Sequence, residues 1–255
     1  MRRIIIIGTA LAVLVSAAAA WAASDPNSYK SSVATSPKKA GSAAKPKPLG
    51  WTQTISVKSN QSGKNAAPLK DIKTWIYGFK VDTKLAPTCS SSTIESSDGS
   101  SCPAKSVVAT GTLSAVLGPP NRDSAESENC DVDLSVYNGG KNYVWFFFKV
   151  PSPSDCPGVT TGDVTPYKGT FSKSGKDLVL NVPVPADAST DAGNLGFYGS
   201  LVHESLTWKK ITKKHKGYFT TDACKAGKRP YKVKYTDTTN GSNSYSTTQS
   251  GKAKC

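Results

Sequence analysis

The chain has 255 residues, and 32 Lys+Arg against 18 Asp+Glu give it a formal charge of +14. Its six cysteines, at 89, 102, 130, 156, 224 and 255, include no Cys-x-x-Cys pair, which excludes zinc-ribbon and thioredoxin-type sites. With only two histidines, His203 and His215, there is little material for acid–base or metal chemistry.

Residues 1–23 read as a signal peptide. Arg2 and Arg3 form a positive start, Ile4 to Ala20 carries no charge, and Ala20-Trp21-Ala22 has the small-x-small pattern of a cleavage site. Cutting is expected after Ala22 or Ala23; the alternative is a retained anchor. The run is short for a span and half of it is Ala, Gly, Ser and Thr, so no stable membrane span is expected after cleavage. Loss of Arg2 and Arg3 lowers the charge by two, to +12. Residues 24–50 are rich in Ser, Ala, Lys and Pro, with almost no large apolar side chain. Such a segment buries too little to offset its ordering entropy, and a disordered spacer is expected.

From Trp51 onward the pattern is that of strands separated by Gly, Pro, Asn, Asp and Ser clusters. The expected strands are Thr52 to Lys58, Ile72 to Val81, Ser106 to Leu117, Val132 to Tyr137, Tyr143 to Val150 and Pro166 to Ser172. Asp177 to Val184, Phe197 to Ile211, Lys216 to Thr220, Tyr231 to Thr236 and Ser244 to Ser250 follow. Val132, Leu134 and Val136 alternate with Asp131, Asp133 and Ser135, and Tyr231, Val233 and Tyr235 with Lys232 and Lys234. One buried face and one wet face is the antiparallel signature. Residues 51–255 therefore read as one all-β domain, an antiparallel β-sandwich of about ten strands.

Hairpins are expected at Asn138-Gly139-Gly140, Lys173-Ser174-Gly175 and Asn240-Gly241. The even cysteine count in an exported chain implies three disulfides, with 15 possible connectivities. Nearest-neighbour pairing is preferred. The last hairpin brings Cys224 to Cys255, Cys89 and Cys102 close the Ser-rich loop between them, and Cys130 is left with Cys156.

The run Phe79-Lys80-Val81-Asp82-Thr83-Lys84-Leu85-Ala86-Pro87-Thr88-Cys89, then Cys102-Pro103-Ala104-Lys105-Ser106, resembles a group of secreted actinobacterial β-sandwich proteins of unknown function. Val136-Tyr137-Asn138-Gly139-Gly140, Tyr167-Lys168-Gly169-Thr170-Phe171, Trp208-Lys209-Lys210 and the segment from Thr220 to Cys255 fit the same order. The resemblance spans residues 75 to 255. It implies secretion, β structure and local cysteine pairing, and supplies no catalytic residues.

Three sites for chemistry stand out. Val202, Leu206 and Trp208 are expected on one strand face, with His203, Ser205 and Thr207 on the other; no Gly-x-Ser-x-Gly elbow accompanies His203. Asp123, Glu126, Glu128, Asp131 and Asp133 are the one acidic cluster, which suits either a calcium site or a face paired with lysines. Tyr143-Val144-Trp145-Phe146-Phe147-Phe148 is apolar on both faces. Depending on hairpin register, either Tyr143, Trp145 and Phe147 or Val144, Phe146 and Phe148 face away from the inner side, and that face is either a ligand platform, for which Tyr143, Trp145 and Phe147 are the candidates, or buried under a loop or second layer.

These residues imply a secreted or envelope-associated binding or structural module, more plausibly non-enzymatic, for anionic or polysaccharide wall material. The alternatives are an exported hydrolase with a site between sheets and a calcium-stabilised adhesion module. No catalytic residue, metal ligand or cofactor is assigned. Nucleic acid is not an expected partner, since the tyrosines among the lysines alternate inward with Val233.

Overall fold

The computed structural model describes residues 25–239 and 243–255. The signal peptide and the Asn240-Gly241 turn lie outside the described residues. In chain order the strands are β1 (Asn27–Ser36), β2 (Lys47–Ser59), β3 (Leu69–Tyr77), β4 (Phe79–Val81) and β5 (Val107–Gly118). Next come β6 (Glu128–Gly140), β7 (Tyr143–Lys149), β8 (Tyr167–Ser174), β9 (Asp177–Pro183) and β10 (Tyr198–Trp208). The last are β11 (Thr212–Lys213), β12 (Lys216–Gly217), β13 (Phe219–Thr221), β14 (Lys228–Thr239) and β15 (Asn243–Lys254). One short helix, α1 (Ser91–Ser97), lies in the loop between Cys89 and Cys102.

The fold is all-β and antiparallel, as the alternation implies. One 13-stranded sheet runs β15-β14-β3-β9-β8-β7-β6-β5-β10-β2-β13-β4, with β1 also on β2; β11 and β12 form a separate ribbon. The layers come from rolling this one sheet. β1 and β14 stand far apart in strand order, yet Tyr29 stacks on Tyr235 with centroids 4.2 Å apart, and the Tyr231 hydroxyl donates to the Ser31 carbonyl at 3.0 Å. Asp237 on β14 accepts from Asn27 Nδ2 at 2.9 Å and from the Tyr29 hydroxyl at 2.7 Å. The two ends of the sheet therefore meet around an apolar interior. At one end of that interior Trp51 and Trp208 stack at 5.2 Å, with Phe219 edge-on to both.

The expected disordered spacer is corrected by β1 and the start of β2. Asn27, Tyr29, Val33 and Thr35 are buried, while Ser28, Lys30, Ser32, Ala34 and Ser36 face outward or are partly exposed. Only two of the inward residues are large and apolar, so the segment looks too polar to fold. Two of its polar inward groups are satisfied: Asn27 also bonds the Ala67 carbonyl and amide at 3.0 and 2.7 Å, and Thr35 accepts from Arg229 at 2.8 Å. That removes the burial penalty that otherwise falls on polar side chains.

The first hairpin turns one step later than expected. Asn138 to Gly140 belong to β6, and the turn is Lys141-Asn142, both at positive φ (41° and 65°). Such a pair gives the twist that matches right-handed strands. The three disulfides are Cys89–Cys102, Cys130–Cys156 and Cys224–Cys255, as nearest-neighbour pairing requires.

Candidate functional site

Two groupings of side chains stand apart from ordinary packing: one on the outside of the roll, one inside.

The outer grouping contains part of the platform expected from sequence. The register places Tyr143, Trp145 and Phe147 on the outer face of β7, and Val144 and Phe146 in the core. Phe147 does not belong to an exposed platform. It is 2% exposed, packed with Ile94 of α1, Cys89 and Tyr137 beneath the disulfide-closed loop. Ser90 caps α1 by accepting from the Thr93 amide at 3.1 Å, and Asp98 ends it at φ 48°, so Ile94 is held down on that face.

Tyr143 and Trp145 are half-buried and edge-to-face at 5.5 Å. From Tyr143 one register row runs across five strands: Tyr143, Thr170, Asn181, Lys73 and Lys234. The neighbouring row sets Trp75 beside Lys232. Lys73 and Lys232 lie 5.4 and 4.8 Å from the Trp75 ring, and Lys168 lies 4.3 Å from Tyr143. Four lysines and three aromatic rings thus share a continuous outer surface. The acid among them is Asp71, whose carboxyl is raised by burial and drawn back by Lys73 and Lys234.

The inner grouping was not foreseen. In β10, Gly199 and Leu201 face inward, a β-bulge falls at Val202, and Glu204, Leu206 and Trp208 face inward again. The bulge overturns the expected facing of Val202, which is 40% exposed. Without an extra residue, Leu201 and Glu204 would point to opposite sides, because strand faces alternate. Glu204 instead lines a cavity of about 80 Å³ among Ile55, Leu113, Phe146, Phe148 and Tyr167. Its carboxylate has no hydrogen bond or ion pair among the described residues, and burial raises it from 4.5 to about 7. Burial also raises the Tyr167 hydroxyl, with Glu204 and Asp187 adding to the shift. The other polar pair in the wall, Gln53 and Thr74, is mutually bonded at 3.2 Å. One signal for Glu204 was present in the sequence: it shares parity with Leu206 and Trp208, so it is the acid on the apolar side of its strand.

The remaining candidates are not assembled. His203 is exposed and meets Ser56 Oγ at 3.0 Å. His215 sits in the β11–β12 turn at φ 65°. Asp131 and Asp133 are exposed on β6, and Asp123 pairs with Lys64 at 3.7 Å. Among the described residues no three His, Cys, Asp or Glu converge as a metal site, and no helix is long and apolar enough to cross a membrane.

No protein-family profile and no curated protein matches the chain. Among solved structures, the T6 backbone pilin of serotype M6 Streptococcus pyogenes is similar at a TM-score of 0.33 and 6% identity, over 89% of this chain and 36% of that one. The chain spans 36% of that protein's length, and a likeness of this degree carries neither fold nor function across.

Proposed function

We propose that the protein is an exported, non-enzymatic binding module of the cell envelope whose outer face takes an acidic polysaccharide. The observation that carries this reading is the grouping of Trp75, Tyr143 and Trp145 with Lys73, Lys168, Lys232 and Lys234 on one sheet surface. Aromatic rings offer flat apolar faces for sugar rings, and the lysines beside them match carboxylate or phosphate substituents. Two ion pairs exist among the described residues, Lys64–Asp123 and Lys80–Asp222, and neither uses these lysines. Export is supported by the uncharged N-terminal run and by three disulfides with no free cysteine, a pattern of oxidising compartments.

The test is retention of the oxidised protein on immobilised polyuronate, dextran and polyphosphate at about 0.15 M salt, where screening acts over ~8 Å. Polyuronate is expected to retain it and dextran not, and Trp75→Ala or Tyr143→Ala is expected to weaken retention about tenfold, or ~1.4 kcal/mol. Equal retention on polyphosphate, indifferent to both substitutions, would reduce the face to plain charge.

A further inference from the structure

The cavity inside the roll has the build of a second binding site. It consists of two adjoining lobes with wall residues in common. The lobe at Glu204 shares Leu113, Ala115, Phe148, Ala188 and Gly199 with another of about 50 Å³, lined further along by Val132, Val159 and Val164. The walls are mainly aliphatic and aromatic, with Gln53, Thr74, Ser189 and Glu204 in the first lobe and Thr160 and Asp187 in the second. The loop closing the second lobe contributes Ala192 and Gly193, and carries Leu195 and Phe197, which are 47% and 42% exposed. Large apolar side chains left in solvent beside an apolar lobe form a suitable entrance for an apolar molecule.

Against this lining, Glu204 is anomalous. A carboxyl placed in an apolar interior without a partner costs stability, and the bulge at Val202 is what turns it inward. Tyr167, across the same lobe, also has no hydrogen-bond partner for its hydroxyl among the described residues. An apolar cavity with a few convergent polar groups is the usual form of a small-molecule site. The charged groups in the two linings, Glu204 in the first lobe and Asp187 in the second, are both acids, so the matching group on a ligand is a cation.

We propose that the rolled sheet binds a lipophilic ammonium compound, its apolar body filling the two lobes and its charged nitrogen meeting Glu204. The site is separate from the outer face: Glu204 and Tyr167 project inward, whereas Trp75, Tyr143 and the four lysines project outward. The preference also runs against the overall charge of +14, which would favour an anionic amphiphile if surface charge alone decided. Binding an ammonium holds Glu204 ionised, so affinity rises with pH through about 7. Aliphatic ammonium groups stay protonated to about pH 10, so the ligand does not titrate in that window. The titratable groups facing the two lobes from other elements are Tyr167 of β8 and Tyr235 of β14, both raised above 10 by burial, and Asp187, which accepts from the Thr165 amide and hydroxyl at 3.0 and 2.9 Å.

The experiment is calorimetric titration of the oxidised protein with n-decylammonium, n-decanol and n-decanoate at about pH 8 and again at about pH 5.5, with thermal midpoints measured alongside. Saturable binding of decylammonium is expected, at least tenfold tighter than either other probe and weaker at the lower pH. Glu204→Gln, shown folded by its midpoint and intact disulfides, is expected to abolish the preference for the amine while polyuronate retention is unchanged. Trp75→Ala is expected to do the reverse. No saturable binding of any probe, decanoate binding as tightly as decylammonium, or amine binding indifferent to Glu204→Gln would each overturn the proposal.

Discussion

The extra residue at Val202 decides which way Glu204 faces, and Glu204 in turn sets a pH dependence. Its carboxyl is raised from 4.5 to about 7 by burial, and that of Asp237 from 3.8 to about 6, again chiefly by burial. Both groups hold a proton more tightly when folded than when unfolded. Their contribution is therefore fully present below about pH 4 and is lost as pH rises through about 7. Glu204→Leu is expected to stabilise the fold, by little at pH 5 and by about 2 kcal/mol at pH 8, read from urea unfolding at each pH. A stability gain that does not grow with pH would show that the carboxyl is not buried in the way described. Arg229 presents the opposite charge. It is fully buried, stacked 5.1 Å from Phe79 and held by the hydroxyls of Thr35 and Thr221 at 2.8 and 3.2 Å, and burial lowers its pKa. Arg229→Lys keeps the charge but loses the forked donor and the flat face, and is expected to cost about 2 kcal/mol in the same measurement.

At the scale of elements, β1 is what closes the sheet on itself. It contributes ten register pairs to β2 on one side and the Tyr29 stack and the Asp237 bonds on the other. Tyr29→Ala removes a buried ring and leaves Asp237 with one hydrogen bond fewer, and is expected to cost about 3–5 kcal/mol. If the loss is under about 1 kcal/mol, β1 is a passenger and not a closing strand. This element also marks the boundary of what the sequence could reveal. β6, β9 and β14 were legible because their inward residues are apolar and their outward residues are not. β1 was not, because three of its five inward positions are Asn27, Ser31 and Thr35, and the charged partners of Asn27 and Thr35, Asp237 and Arg229, lie 210 and 194 residues away in sequence. The same reasoning separates the two candidate sites. The outward facing of Tyr143 and Trp145 was one of two readable registers, whereas the covering of Phe147 by α1 and the inward turn of Glu204 depend on a tertiary contact and a bulge that no local pattern encodes.

At the scale of the whole molecule, the disulfides add covalent ties to the hydrogen-bonded roll. Cys224–Cys255 joins the two ends of the β14–β15 hairpin, 31 residues apart, and the chain-entropy model assigns such a loop about 3–4 kcal/mol. Cys224→Ser with Cys255→Ser is expected to lower stability by that amount while leaving Tyr143 and Trp145, on the far part of the sheet, in place. Protection of the β7 amides from hydrogen exchange checks this. The rolled topology has one further consequence, in time. β1 and β2 pair with each other locally, but their outer neighbours, β14 and β10, come only beyond residues 228 and 198. Pairings this distant in sequence close slowly, because the loop entropy is spent before any contact repays it. In a chain emerging from the ribosome N-terminus first, the local hairpins β1–β2 and β5 to β9 can form early, whereas the roll itself closes only once β10 and β14 are made.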